Sequence, residues 1–441
     1  LALSGQVNTQ VVGTGAFQEV DLVKAFQTVA DYNFAVQQNS QHTELMTGAL
    51  KHAIIKRDVS HLTFPDELQI MPVGDDVIAD TPEGRISPFT ISPPKETLAK
   101  AIELIKPAKR PVIIVGHGAR NSMKEIIAMA ESMNSPVITT FKGKGLIPDN
   151  HPLGCGVLGR SGTPIASWFM NESDLLIVFG ASFSNHTGIT PKKPIIQIDF
   201  DPMALSKFHK VDVALWGEVG VTCNLLHENL QGKIETQDQK PEIADRWEIW
   251  KSEKKNRLKD DKGNGISSIA VFDAMNKIVP DNAVISVDVG NNTYSFGRYF
   301  ECKNQSVLMS GYLGSIGFAL PAAMGAWAAV KKSRPVWSLS GDGGLGQYLA
   351  EITTLVKYKM NIKHVLINNS ELGKISKEQR SAMHDVWQTS MHNPNFAEYA
   401  NNCGALGIRV EKHEELENAM MEIKNHDGPA LLEIICDVNL I

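Results

Sequence analysis

Short apolar runs alternate along this chain with longer segments of helical periodicity. Val336-Trp337-Ser338-Leu339-Ser340 reads as a strand that breaks at Gly341-Asp342-Gly343-Gly344. A helical segment comes next, with apolar residues at Leu345, Leu349, Ile352 and Leu355–Val356, and a second strand, His364 to Ile367, ends on Asn368-Asn369. The spacing predicts a βαβ unit whose parallel strands bring Asp342 and Asn369 to one carboxyl edge. Further strands are expected at Pro111–Val115, Pro136–Thr140, Leu175–Phe179, Ile195–Ile198, Ala283–Val289, Gly407–Val410 and Ala430–Cys436. Leu1–Gln6 reads as the end of a strand, and the segment from there to about His61–Phe64 is too short for a complete α/β domain.

The fold class is therefore α/β, with three doubly wound parallel-sheet domains of which the first is partial. Boundaries are expected at 1–80 (a half domain), 81–95 (a linker rich in Pro and Gly), 96–230 (a nucleotide-binding-like domain), 231–266 (a solvated helix and charged linker) and 267–441 (a diphosphate-binding domain).

Composition narrows the function. Of 441 residues, 43% are hydrophobic and 21% charged, as in an ordinary globular protein, and the net charge of −6 disfavours nucleic acid as a partner. No apolar run approaches the ~18 residues of a membrane span. The five cysteines, Cys155, Cys223, Cys302, Cys403 and Cys436, form no C-x-x-C pair and read as buried thiols of a cytoplasmic protein.

Asp342 offers a carboxylate and Asn369 an amide oxygen, with no His or Cys beside them. Hard oxygen donors of this kind suit Mg²⁺ rather than Zn²⁺, and two are too few for a closed cage but enough for an ion shared with phosphate. An EF-hand is excluded, since no Asp/Asn series or closing Glu comes after it. Gly116-x-Gly118, after the strand at Pro111–Val115, is a weak dinucleotide signal. Asn121 stands where a third Gly belongs, and the next strand carries no acid for a ribose, so NAD is disfavoured.

GDG at Gly341–Gly343, followed after just under thirty residues by Asn368-Asn369, resembles the binding motif of thiamine diphosphate (ThDP). The resemblance covers nearly the whole chain and points to the family of pyruvate oxidase and acetohydroxyacid synthase. It implies a metal held by Asp342, Asn369 and the backbone carbonyl of Glu371. It further implies a diphosphate turn at Gly290-Asn291-Asn292, with Gly341, Gly343 and Gly344 beside it. In Ser310–Gly317, Gly314 and Ser315 would flank Ile316, the apolar wedge between the cofactor rings. Gln18 would face the reacting carbon. The family's proton-relay Glu would lie upstream of Leu1, and Glu44 is not its counterpart. FAD is implied in the central domain, at Gly116, Gly118, Arg160, Asn185, Asp199 and Asp201.

Ile375 and Glu378 resemble the pyruvate oxidases, whereas acetohydroxyacid synthases carry Trp at the position of Glu378. Glu378 then becomes a candidate acid–base group on the cofactor adduct, or else a surface residue. The resemblance implies decarboxylation of pyruvate or another 2-oxo acid with electron transfer to FAD, in a homodimer or homotetramer. The alternatives are acetohydroxyacid (acetolactate) synthesis, and a cofactor-binding fragment that is inactive without the relay Glu.

Overall fold

The computed structural model describes residues 1–72, 83–184, 187–190, 192–260 and 263–440. The chain divides into two compact units, Leu1–Phe89 and Thr90–Ile441. The expected linker over 81–95 begins outside the described residues.

The first unit holds three parallel strands, β1 (Ala2–Gln6), β2 (Tyr32–Ala35) and β3 (Ser60–Pro65), in the order β1-β3-β2. β3 is central and buried. Its His61 contacts the Ser4 hydroxyl and the Asn33 amide oxygen from its two ring nitrogens, at 3.0 and 2.8 Å, and stacks on Phe26. Glu44 lies exposed on the helix His42–Lys51.

The second unit contains two six-stranded parallel sheets. The first runs β6-β5-β4-β7-β8-β9 and is built from β4 (Pro111–Val115), β5 (Val137–Thr139), β6 (Gly154–Val157), β7 (Leu175–Phe179), β8 (Ile195–Asp199) and β9 (Val213–Trp216). Both β4 and β7 are buried along their full length, which is why they read as unbroken apolar runs. β6 and β9 escape the sequence pattern. Gly154-Cys155-Gly156-Val157 carries little β-propensity, and β9 is a short edge strand.

The solvated helix expected within 231–266 is present as an 18-residue helix, Lys240–Arg257, but one of its faces packs against this sheet's core. Ile243, Trp247 and Trp250 recur at helical spacing and are buried. Trp247 Nε1 donates to the Gly154 carbonyl at 2.8 Å. Mixed charges on the other faces, including Arg110–Glu242 at 2.7 Å, mask that stripe in the sequence.

The last sheet runs β11-β10-β12-β13-β15-β14, from β10 (Val284–Val287), β11 (Ser306–Met309), β12 (Val336–Gly341), β13 (Ile362–Asn368), β14 (Leu406–Val410) and β15 (Ala430–Ile435). The chain leaves β10 to one side for β11 and returns to the other for β12. The topological switch point, where open α/β sheets bind ligands, thus falls between β10 and β12. The single helix expected after β12 is two, Asp342–Gly346 and Glu351–Lys357. Gln347 and Tyr348 bond three residues back, to Gly344 and Leu345, so the glycine-rich first turn ends early. A buried ion pair ties the two sheets together. Lys144 reaches Asp149 at 3.2 Å, and Asp149 in turn accepts the Cys302 amide at 2.7 Å.

His364 lies on β13 under apolar cover from Leu320, Leu345 and Leu431, with its Nε2 2.8 Å from the Ser340 hydroxyl. Burial pushes its pKa down to about 3. The native state therefore stays neutral where the unfolded chain, at about 6.5, takes up a proton. Stability falls as pH drops through that window, at about 1.4 kcal/mol per pH unit from this group. His364→Gln is expected to flatten the pH dependence of urea-unfolding stability between pH 6 and 4 by about that slope. An unchanged slope contradicts the assignment.

Candidate functional site

β12 and β13 pair in register up to Gly341 opposite Ile367, so the segments that leave them start side by side. Gly290, Asn291, Asn292, Gly314, Ile316, Gly341, Asp342, Gly343, Gly344, Asn369 and Glu371 line one cleft of about 310 Å³ at this edge. The sequence separates these residues widely, and the switch point gathers them. Ser315 lies exposed beside the cleft and does not line it.

Asp342 is the buried charge of the site, only 3% exposed. Its Oδ1 accepts the Gly343 amide at 3.0 Å and its Oδ2 the Asn393 side-chain amide at 2.8 Å. Burial raises its pKa, against the opposing pull of these hydrogen bonds, and no Lys or Arg pairs with it among the described residues. Asn369 Oδ1 accepts the Glu371 amide at 3.1 Å, and the Glu371 carbonyl accepts the Gly373 amide at 2.7 Å. Each oxygen keeps a second lone pair. A buried carboxylate without a counter-ion and two half-used oxygens nearby fit a hard divalent cation.

The glycines fit an approaching anion. Gly290 has φ +136, where a side chain is strained, and a Cβ there would meet Asn292 Oδ1 at 2.8 Å. A Cβ on Gly344 would sit 2.5 Å from Asp288 Oδ2. Strained backbone at Gly290 and the contact with Asp288 at Gly344 thus require glycine at both positions, and both line the cleft without a side chain.

Two residues at this edge escape sequence reasoning. Asn393 Nδ2 bridges Asp342 and Asn368, at 2.8 and 2.9 Å, from a loop far along the chain, and no local pattern marks it. Asp288 comes directly after β10, and its Oδ1 accepts the Val289 and Gly317 amides at 2.7 and 2.9 Å, anchoring the segment that carries Ile316. An acid at a strand end, two residues before a glycine, is the signal that could have found it. Behind the Asn pair, Asn368 Nδ2 donates to the buried Glu433 at 2.7 Å, and Arg409 reaches Glu433 at 3.0 Å.

Other expected site residues fall elsewhere. Glu378 is exposed, outside the cleft lining, and ion-paired with Lys374 one helical turn away. That hydrogen bond holds its carboxyl below the ordinary range. Gln18 belongs to the first unit, exposed and with φ +66. A second cleft, of about 360 Å³, lies at the carboxyl ends of β4 to β7 and includes Gly116 and Arg160. Gly118 does not line it. Its Cβ would meet Gly180 Cα at 2.8 Å, so close packing against the exit of β7 accounts for this glycine without a nucleotide. Asp199 and Asp201 also lie outside that lining. Asp199 Oδ1 accepts the Asp201 amide at 2.9 Å, and Asp201 Oδ1 accepts the Met203 amide at 2.9 Å. Asn185 lies outside the described residues.

Sheet order and cleft together define a doubly wound α/β protein with a crevice at its switch point. Residues 98–226 match the central domain of thiamine pyrophosphate enzymes, and residues 288–434 match their C-terminal TPP binding domain. YdaP of Bacillus subtilis, named for containing thiamine pyrophosphate, is 31% identical over 99% of this chain and 75% of its own length. A probable acetolactate synthase large subunit of Methanococcus aeolicus is 32% identical, over 99% of this chain and 77% of that protein. The large subunit of Escherichia coli acetolactate synthase isozyme 1 is 28% identical, over 99% and 78%. This chain belongs to the thiamine pyrophosphate enzyme family. Among its described residues, no helix is long and apolar enough to cross a membrane.

Proposed function

We propose that the chain acts on 2-oxo acids, pyruvate foremost, as an acetolactate synthase-type enzyme using ThDP and Mg²⁺. The observation that carries this is the meeting of Asp342, Asn369 and Glu371 in one cleft beside the Gly290 and Gly343-Gly344 turns. ThDP, when bound, supplies a carbon nucleophile and an electron sink for decarboxylation. Asp342, the Asn369 amide oxygen and the Glu371 carbonyl would hold the metal. The amides of the glycine turns would meet the diphosphate, and Ile316 gives the cleft an apolar wall that excludes water. Asn393 positions the Asp342 carboxylate, and Asp288 the Ile316 segment.

Carbon–carbon bond formation is preferred here over the oxidase-like electron transfer that Glu378 and Ile375 suggest in the sequence. The two acetolactate synthase relatives favour it, and Glu378 stands outside the cleft. FAD is implied for both branches of the family and does not separate them; of the residues expected to hold it, Gly116 and Arg160 line the second cleft and Asp199 and Asp201 lie outside that lining.

Calorimetry of ThDP binding with Mg²⁺ and with EDTA, and then assay for acetolactate from pyruvate, tests the proposal. Metal-dependent binding and acetolactate as the product are expected. Metal-independent binding, or flavin absorbance in the purified protein with acetate as the product, contradicts it.

A further inference from the structure

Three charged side chains line the cleft among the described residues, Asp342, Glu371 and Lys374, and only Lys374 is positive. Glu371 already faces Arg380 at 3.3 Å, outside the lining. A 2-oxo acid entering this cleft brings a carboxylate that needs a partner as its water is stripped.

We propose that Lys374 binds the substrate carboxylate at the rim of the cleft and that Glu378 is its resting counter-ion. The inference rests on the 2-oxo acid reading and names a residue that selects acids over their neutral analogues. Lys374 is the second residue of the helix Gly373–Ser381, where an ammonium opposes the helix dipole. The pair also runs in the poorer order, Lys before Glu. Helix stability therefore gives only a weak reason for a lysine here. Its ammonium lies 5.7 Å from the Tyr294 ring centre.

The side chains of Lys374 and Glu378 are 33% and 60% exposed, so the resting pair is hydrated and weak. An incoming carboxylate can displace Glu378 at little cost. The new pair stays hydrated on its outer side, strong enough to orient an anion and weak enough to release it.

The test is calorimetric binding of oxamate, an unreactive 2-oxo acid isostere, and of neutral pyruvamide to the protein loaded with ThDP and Mg²⁺. Lys374→Met is expected to weaken oxamate binding about tenfold and leave pyruvamide unchanged. Lys374→Arg should restore oxamate binding to within about threefold of wild type, and Glu378→Gln should tighten it by freeing the ammonium. Unchanged oxamate affinity in Lys374→Met, or equal losses for oxamate and pyruvamide, overturns the inference. ThDP titration of the same samples separates the two claims. Failure of the wild type to bind ThDP overturns the 2-oxo acid reading, and normal ThDP binding with no charge discrimination overturns the role of Lys374 alone.

Discussion

Asp342→Asn should abolish Mg²⁺-dependent ThDP binding, weakening it by at least about 100-fold, while leaving the metal-free protein no less stable than wild type at pH 7. Asp342 is buried without a cationic partner, and burial lifts its pKa above the unfolded value. The native state therefore holds its proton to higher pH than the unfolded chain does. Above that raised pKa the ionised group costs folding free energy, and Asn removes the cost while keeping an oxygen to accept from Asn393 or Gly343. A divalent cation reverses the sign by favouring the carboxylate, so metal binding releases the proton and its affinity falls as pH drops through the raised pKa. Urea unfolding without metal and ThDP titration with Mg²⁺ measure the two halves. A variant that loses stability and cofactor binding together points to a structural role for Asp342. A variant that still binds ThDP with Mg²⁺ removes it from the metal site.

The second large effect lies behind the site. Arg409→Met should destabilise the protein by about 2–4 kcal/mol, and Arg409→Met with Glu433→Gln by clearly less. Glu433 is fully buried and accepts from Arg409, Asn368 and the Ala397 amide, at 3.0, 2.7 and 3.1 Å. Removing the guanidinium strands a buried carboxylate, and removing both charges does not. The part-exposure of Arg409 lets water reach one side of the pair, which puts the expected loss at the lower end of the range for buried ion pairs. Asn368 is held by Glu433 and precedes Asn369, so the single variant should also weaken ThDP binding. Urea denaturation of the two variants checks the prediction. Equal losses would mean that the geometry of the pair, and not an isolated charge, sets the cost.

Burial decides how much of the fold is legible in the sequence. β4 and β7 are covered on both faces, so five apolar residues in a row announce each of them at its full length. β6, with two glycines, and the edge strand β9 carry no such signal. The metal-site candidates are readable because a strand ending in Gly-Asp-Gly and another ending in Asn-Asn mark their own positions. Asn393 joins the site through chain folding alone, with no pattern near it to say so, whereas Asp288 carries a usable signal as an acid at the end of β10 two residues before a glycine. The helix Lys240–Arg257 shows the opposite failure. Its charges dominate the sequence, while a stripe of one isoleucine and two tryptophans decides where it packs. Glu378 fails for a geometric reason. Its helix carries it past the cleft rim, and Lys374, one turn earlier, occupies the lining instead.

Co-crystallisation with ThDP and Mn²⁺ in place of Mg²⁺ tests the central claim most directly, because anomalous scattering locates the ion without reference to any assumed ligand. The account predicts one strong peak bounded by the Asp342 carboxylate, the Asn369 side-chain oxygen and the Glu371 carbonyl, with the diphosphate completing its shell. A peak elsewhere, or a bound diphosphate with no ion touching Asp342, contradicts it.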